Sequence, residues 1–510
     1  MKRILRFLTG RIFITAVALL VQLAYFVTVL FNFVQYSATI SFLSATLSIL
    51  ITLYLVGKED NPSYRIAWII VVMATPLMGG ILYLLLGNKH PTKRMARKLR
   101  APREHLLSLC PQDAPDISAL SLADPRAAGR SQYLTNMGSY PVTQNTTVKY
   151  YPLGEETFAA MLSDLKSAKH FIFMEYFIIN GGFMWDAILE ILKEKAAQGV
   201  EVRLMYDDLG SLFYLPNDFC RTMESYGIHC LRFNPLVPFL SLVMNNRDHR
   251  KIMIIDGHTA FTGGINLSDE YINRTHPFGH WKDTCVCLHG QSVWGFTLMF
   301  LEMWHAFYKT DEDIDCFRPN AHHPAPFETD GFVQVVGDSP LDDEPVCENL
   351  YIDILNQAQN YVYIFTPYLI IDDAMFSGLT AAARRGVDVR IVTPGVPDKK
   401  MVFRLTRSYY APLIRAGVRI YEYTPGFLHA KSIIADDSYG VVGTINLDYR
   451  SLFLHFECAA YLYQCAALTD LKQDALNTMA QSREVTLPDC NKSILGTLID
   501  AILRMFAPLC

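Results

Sequence analysis

Two stretches of the chain carry one pattern of residues able to do chemistry. The first copy reads His249, Lys251, Asp256, Gly263, Gly264 and Asn266, and the second His429, Lys431, Asp436, Gly443, Thr444 and Asn446, with identical spacing. Side chains two apart on a strand share a face, so each histidine and its lysine can enter one cleft together. Two equal copies point to one site assembled from two halves. A titratable base beside a cation suits phosphate chemistry. One imidazole attacks phosphorus, the other protonates the leaving oxygen, and an alcohol or water then resolves the covalent intermediate. An ordinary imidazole pKa near 6.5 lets one start neutral and the other charged. Lys251, Lys431, Asn266 and Asn446 are suited to hold non-bridging oxygens and offset charge developing in the transition state.

This scheme needs no metal and no cofactor, and no metal site is expected. Cys285 and Cys287 are one residue apart in a strand-like run, without a second pair at zinc spacing, and read as ordinary packing. Asp256 and Asp436 fit the cleft poorly. Each lies seven residues beyond its histidine, an odd offset that turns it to the opposite strand face. Asp256 precedes Gly257, and Asp436 precedes Asp437 and Ser438. Turn formation or ion pairing is therefore their expected role.

The elements that must position these residues read as alternating strands and helices from about Thr147 onward. Strands are expected over 170–179, 200–206, 229–233 and 251–255, with helices over 185–198 and up to 226. The second half repeats the order: strands over 361–366, 387–392, 418–423 and 430–435, and helices over 374–385 and 401–416. Residues 310–330, including His322 and His323, read as the connection between halves. The fold class is α/β: two tandem sandwich halves, 145–315 and 325–490, preceded by two or three membrane helices.

Residues 12–34, 38–56 and 66–86 contain no Asp, Glu, Lys or Arg, and each approaches the roughly 20 residues needed to cross a bilayer. Residues 1–88 therefore read as a transmembrane region. Residues 1–103 hold 13 Lys or Arg against 2 Asp or Glu, and the remainder carries a net charge of −16. An acidic body argues against nucleic-acid binding. The basic cluster of 89–103 hugs the third apolar run, favouring a cytoplasmic position against anionic headgroups. Lys2, Arg3, Arg6 and Arg11 ask for the same side, which three crossings would forbid. One run is then not a span, and the first two are the candidates. Eleven scattered cysteines, without a disulfide framework, also favour a cytoplasmic catalytic part. Residues 89–144 read as a basic linker with at most one short helix. The apolar stretch 235–244 is a candidate lipid-facing rim or buried core. The C-terminal apolar helix, 491–510, is expected to pack on the body in preference to lying on a membrane.

The doubled His-Lys-Asp pattern resembles the phospholipase D superfamily over about residues 145–480. Asp256 and Asp436 are retained among the site residues because that signature includes them. The hydrophobic N-terminus, the run 68–84, the stretch 246–252, the run 281–284 and the run 446–451 are similar to bacterial cardiolipin synthases over nearly the whole chain. The resemblance implies a phosphatidyltransferase of the cell membrane that converts two phosphatidylglycerols into cardiolipin and glycerol. It implies His249 as nucleophile and His429 as acid and then base, although the reverse order fits the residues. Asp283 and Glu457, downstream at matching positions, are then the carboxylates that orient the imidazoles. Pairing across the halves is expected, Glu457 with His249 and Asp283 with His429, with pairing inside each half as the alternative. Gly264 stands where many relatives carry Ser or Thr, so a phosphate-contacting hydroxyl is expected from Thr444 alone. Another phosphatidyltransferase, a hydrolytic phospholipase D or a silent membrane scaffold are the competing readings. Oligomeric state is not legible.

Overall fold

The computed structural model describes the chain apart from residues 1–10, 35–37, 88–90, 92, 110–114, 139, 236–244, 309–311, 342 and 510. The rim expected over 235–244 falls almost wholly outside the described residues.

Each half is built on one mixed sheet, and the two sheets have the same strand order. In the first, seven strands run Thr146–Tyr151, Cys285–Gly290, Thr259–Gly263, Lys251–Ile255, Phe171–Tyr176, Glu201–Asp207 and Ile228–Phe233 from edge to edge. In the second, the order Phe332–Asp338, Glu457–Tyr463, Tyr439–Gly443, Ser432–Ala435, Tyr361–Phe365, Asp388–Pro394 and Arg419–Tyr423 repeats it, and Ser482–Val485 adds an eighth strand. The duplication read from sequence is thus a duplication of topology. In both halves the motif strand pairs antiparallel with a central strand that is parallel to its other neighbour.

Period-2 alternation sends neighbouring side chains to different cores. Phe171 and Phe173 join Tyr361, Tyr363 and Phe365 in a core shared by the two sheets. Ile172 and Met174 pack outward under the helices of half 1, and Val362 and Ile364 do so in half 2. Both sheets are therefore buried on both faces, which explains why their strands read as continuous apolar runs. Helix Val293–Phe307, apolar nearly all round, fills the shared core beside them.

Residues 89–144 are more ordered than the expected linker. Helices Lys93–Leu107, Pro115–Ala123 and Pro125–Asn136 form there. Leu99, Leu106 and Tyr140 enter the shared core, and Leu120 and Leu134 enter that of half 2. Charge-rich composition hid this because the apolar residues are few but regularly placed. The helix expected over 401–416 is likewise two, Lys400–Ser408 and Tyr410–Arg415.

The third apolar run is not one helix. It breaks at Thr75, and Pro76 opens a second helix, giving Pro62–Ala74 and Pro76–Leu86. The two fold back antiparallel: the Trp68 and Tyr83 rings lie 5.4 Å apart, and Tyr64 Oη donates to the Gly87 carbonyl at 3.2 Å. Gly79 permits the tight turn, since a Cβ there would meet Val71 O at 2.4 Å. At 13 and 11 residues these helices reach about 20 and 17 Å, short of a bilayer core of about 30 Å. Composition could not reveal the break, because a hairpin and a span are equally apolar. The first two runs form helices Arg11–Val34 and Ala38–Gly57, of 24 and 20 residues. Both include side chains outside the described set, and among the described residues no helix is long and apolar enough to cross a membrane.

Candidate active site

The halves meet along a seam in which each supplies the backbone partner for the other's histidine. His249 N donates to Phe456 O at 3.0 Å, and His429 N donates to Lys282 O at 2.7 Å. Phe456 immediately precedes Glu457, and Lys282 immediately precedes Asp283. A short parallel ladder between His280–Lys282 and Gly426–Leu428 fixes the second contact, and a single bridge between Asp248 and Phe456 fixes the first.

That backbone pairing places each carboxylate against the imidazole of the opposite half. His249 Nδ1 lies 2.9 and 3.0 Å from the two Glu457 carboxylate oxygens, and His429 Nδ1 lies 2.7 Å from Asp283 Oδ2. The crosswise arrangement expected from the sequence is the one present. An Nδ1–H held by a carboxylate leaves the Nε2 lone pair of His249 free to attack.

Electrostatics follow from burial. Desolvation lowers His249 to about 3, against the opposing pull of Glu457, and lowers His429 to about 4, with Lys431 adding to the effect. Desolvation alone would raise Glu457, but its histidine neighbours outweigh it and hold the carboxyl far below its usual range. Asp283 is likewise lowered, burial opposing and His429 and Lys431 prevailing. Burial brings Lys251 to about 8 and Lys431 to about 7. Aromatic walls cause the desolvation: Phe177 lies 5.0 Å from the His249 ring, and Tyr271 and Trp281 each lie 5.4 Å from the His429 ring.

Lys251 Nζ donates to the His249 carbonyl, and Lys431 Nζ to the His429 carbonyl, so each cation is tethered to its own motif. Lys431 Nζ also lies 2.8 Å from His429 Nδ1, a contact the first motif has no counterpart for among the described residues. The asparagines differ too. Asn266 accepts from Ile178 N at 3.0 Å and donates to Tyr271 Oη at 2.7 Å, whereas Asn446 is buried with its Oδ1 unsatisfied.

Thr444 corrects an expectation. Its hydroxyl donates to Glu457 and accepts from Cys458 N at 3.1 Å, so it braces the carboxylate and is not free for phosphate. At the matching position, a Cβ on Gly264 would lie 2.0 Å from Asp283 Oδ1. The Gly/Thr difference between the motifs thus reflects how closely each carboxylate approaches.

Asp256 and Asp436 stand at the far ends of the motif strands, in left-handed turns with φ of 48° and 52°. The Asp256 carboxylate accepts from Lys169 N, His170 N and Phe171 N at 2.9, 2.8 and 2.9 Å. Asp436 accepts from Gln359 N, Asn360 N and Tyr361 N at 2.7, 2.8 and 2.9 Å. Each clamps the loop that leads into the neighbouring central strand, a structural role in both halves.

One further residue beside the site, His455, lies outside both motifs. His455 is buried, its ring 5.6 Å from that of His249, and neither ring nitrogen has a hydrogen-bond partner among the described residues. Its Nδ1 is 3.8 Å from Glu457 Oε1. His249, His455 and Glu457 are a cluster with metal-ligand atoms within 4.8 Å of one another. The bond between His249 and Glu457 explains two of its three members without an ion.

Sequence comparisons bear on this geometry. The model of the cardiolipin synthase, phospholipase D-like domain matches residues 161–278 and 351–479, one match in each half. A cardiolipin synthase of Alkalihalophilus pseudofirmus is 33% identical over 483 residues, covering 92% of this chain and 95% of that protein. The chain belongs to the cardiolipin synthase family. A second relative of that family, cardiolipin synthase 2 of Bacillus cereus, is 35% identical over 457 residues, 89% of this chain and 88% of that one. An uncharacterised protein of Streptococcus mutans is 46% identical over 458 residues, 90% and 99% of the two chains. A phospholipase D-nuclease N-terminal model matches residues 46–88, the segment ending in the helical hairpin. Among solved structures, phosphatidylserine synthase of Haemophilus influenzae shares the fold at a TM-score of 0.54 and 14% identity, covering 71% of this chain and 93% of that one.

Proposed function

We propose that this cardiolipin synthase family member transfers the phosphatidyl group of one phosphatidylglycerol to the terminal hydroxyl of another, giving cardiolipin and glycerol. The observation that carries the reading is the pair of imidazole–carboxylate contacts made across the seam, His249 with Glu457 and His429 with Asp283. His249 Nε2 attacks phosphorus, and the P–O bond to the glycerol headgroup breaks as His429 donates a proton to that oxygen. The second phosphatidylglycerol then gives its hydroxyl proton to His429 while its oxygen displaces His249 from phosphorus. The phosphodiester brings negative charge that favours protonated His429, countering the desolvation that depresses it. Lys251 and Lys431 neutralise the phosphoryl oxygens. No nucleic-acid partner is invoked.

The membrane reading is refined with it. Helices Arg11–Val34 and Ala38–Gly57, about 36 and 30 Å long, are the two segments whose length matches a bilayer core of about 30 Å. The hairpin that follows enters without crossing. Two crossings put the N-terminal end of helix Arg11–Val34 and the basic helix Lys93–Leu107 on one side, the cytoplasmic one, where three would have divided them.

Labelled phosphatidylglycerol incubated with the full-length protein in detergent is expected to give cardiolipin and free glycerol. Phosphatidic acid as the sole lipid product would replace this reading with a hydrolytic phospholipase D. Denaturing quench at alkaline pH, where a phosphohistidine linkage survives, is expected to trap no phosphatidyl-enzyme from His249→Ala, while His429→Ala accumulates it. The opposite pattern would exchange the two roles.

A further inference from the structure

The C-terminal helix Ile494–Phe506 is built with its apolar side outward. Ile494, Leu495, Leu498 and Ile502 are 92, 67, 57 and 47% exposed, and Phe506 continues the stripe. The buried residue of the helix is Asp500, at 6%. Its carboxylate accepts from Arg404 Nε at 2.7 Å and pairs with Lys492, and Arg404 also donates to Gly496 O at 3.1 Å. A helix facing water turns its polar side out. Here Asp500 is locked onto the body by ion pairs and Leu503 packs against the core of half 2, so the helix packs on the body as expected but leaves the rest of its apolar stripe outside.

Two features of the surroundings indicate what covers the stripe. Helix Lys400–Ser408 packs beside it, with Met401 exposed and Lys399 and Lys400 also exposed, and Arg504 adds a further exposed cation. This basic border complements anionic headgroups. The C-terminal helix and the turn Ala507–Leu509 also pack against helix Pro62–Ala74 of the apolar hairpin, whose Ile66, Ile70 and Met73 are exposed. The stripe is thus continuous with the segment already assigned to the membrane. Tyr64 of the hairpin, Pro508 of the turn, and Tyr449 and Phe453 from the helix after the second motif line one small cavity where the three elements meet.

We propose that Ile494–Phe506 is an interfacial helix that lies in the headgroup boundary of an anionic phospholipid bilayer and seats the catalytic body on it. A large apolar stripe, a basic border and a polar face already engaged by protein are the features such a helix requires. Continuity with the hairpin rests on the membrane reading above, whereas the exposed stripe and its basic border stand without it.

The test uses full-length Leu498→Trp protein in vesicles of phosphatidylglycerol and phosphatidylethanolamine, with the wild-type tryptophan signal subtracted. The added tryptophan is expected to emit blue-shifted light and to be quenched at least twofold by lipids brominated near the headgroup, with little quenching by aqueous acrylamide. Quenching by acrylamide alone would leave the stripe in water and overturn the proposal. Protection from both quenchers would assign it to a second copy or another protein, and would also overturn it. In a second arm, Ile494→Asp combined with Leu498→Asp should raise the apparent KM for phosphatidylglycerol in vesicles about tenfold. Turnover of short-chain phosphatidylglycerol dissolved as monomers should be unchanged. Equal loss on both substrates, or no loss on either, would count against the proposal. The fluorescence arm reads membrane contact whether or not cardiolipin is the product.

Discussion

Glu457 lies 208 residues from His249 in sequence and within 3.0 Å of its Nδ1, and the two belong to different halves of the molecule. Among the described residues, neither motif histidine finds its carboxylate within its own half. Phosphatidyl transfer therefore depends on the seam being closed.

Replacing Glu457 by Gln keeps the shape but removes the charge that fixes the Nδ1–H tautomer. By analogy with the loss of about 10⁴ in kcat when the triad aspartate of serine proteases becomes an amide, the expected fall is on the order of 10³ to 10⁴. Initial-rate assays with labelled phosphatidylglycerol measure it. Retention of more than a tenth of the activity would show that Glu457 does not orient the nucleophile.

Gly264→Ser should be as damaging as loss of the Asp283 carboxylate itself, because its Cβ would occupy the position of Asp283 Oδ1. A fall of at least about 100-fold is expected if the acid loses its support. Thermal unfolding recorded alongside separates this from collapse, since the prediction concerns rate in a folded protein. Normal turnover would mean that the carboxylate shifts without consequence.

Asp256→Ala and Asp436→Ala should act on stability and leave chemistry nearly intact. Each change strips a carboxylate from three backbone amides and leaves alanine in a left-handed turn. About 3 kcal/mol of lost stability is a reasonable scale for such a clamp. Denaturation midpoints and kcat, measured on the same preparations, give the comparison; a fall in kcat with an unchanged midpoint would return these residues to the catalytic set.

Acid should weaken the fold before it disables the nucleophile. His249 and His429 titrate near 3 and 4 in the folded protein, below their unfolded value near 6.5. Between those limits the unfolded chain binds more protons, so stability is present above about 6.5 and is lost as pH falls toward 4. Over the same range His249 stays neutral, so kcat/KM should show no acid limb centred near 6.5. Chemical denaturation at pH 7 and pH 5, paired with a rate profile, checks both signs.

Local pattern was enough to read the duplication and the central strands of each half, and to expect a turn role for Asp256 and Asp436. These depend on spacing, period-2 alternation and turn chemistry, which are properties of adjacent residues. The outer strands, among them 146–151, 332–338 and 457–463, were not legible. The bend at Thr75 and the helices hidden in the basic segment were not legible, because composition is the same for a span and a hairpin. His455 was passed over since a single histidine carries no spacing of its own.

Residue types and their spacing say which residues could form a phosphate site and that two copies must cooperate. How the copies join is a property of the folded chain. Backbone pairing of residues 280–282 with 426–428, and of Asp248 with Phe456, carries each carboxylate to the opposite imidazole. The same holds for the C-terminal helix, whose amphipathic pattern is evident in the chain but whose orientation is not. The ion pair between Asp500 and Arg404 turns its apolar face outward, and an ion pair between residues 96 apart is a contact that the fold alone can supply.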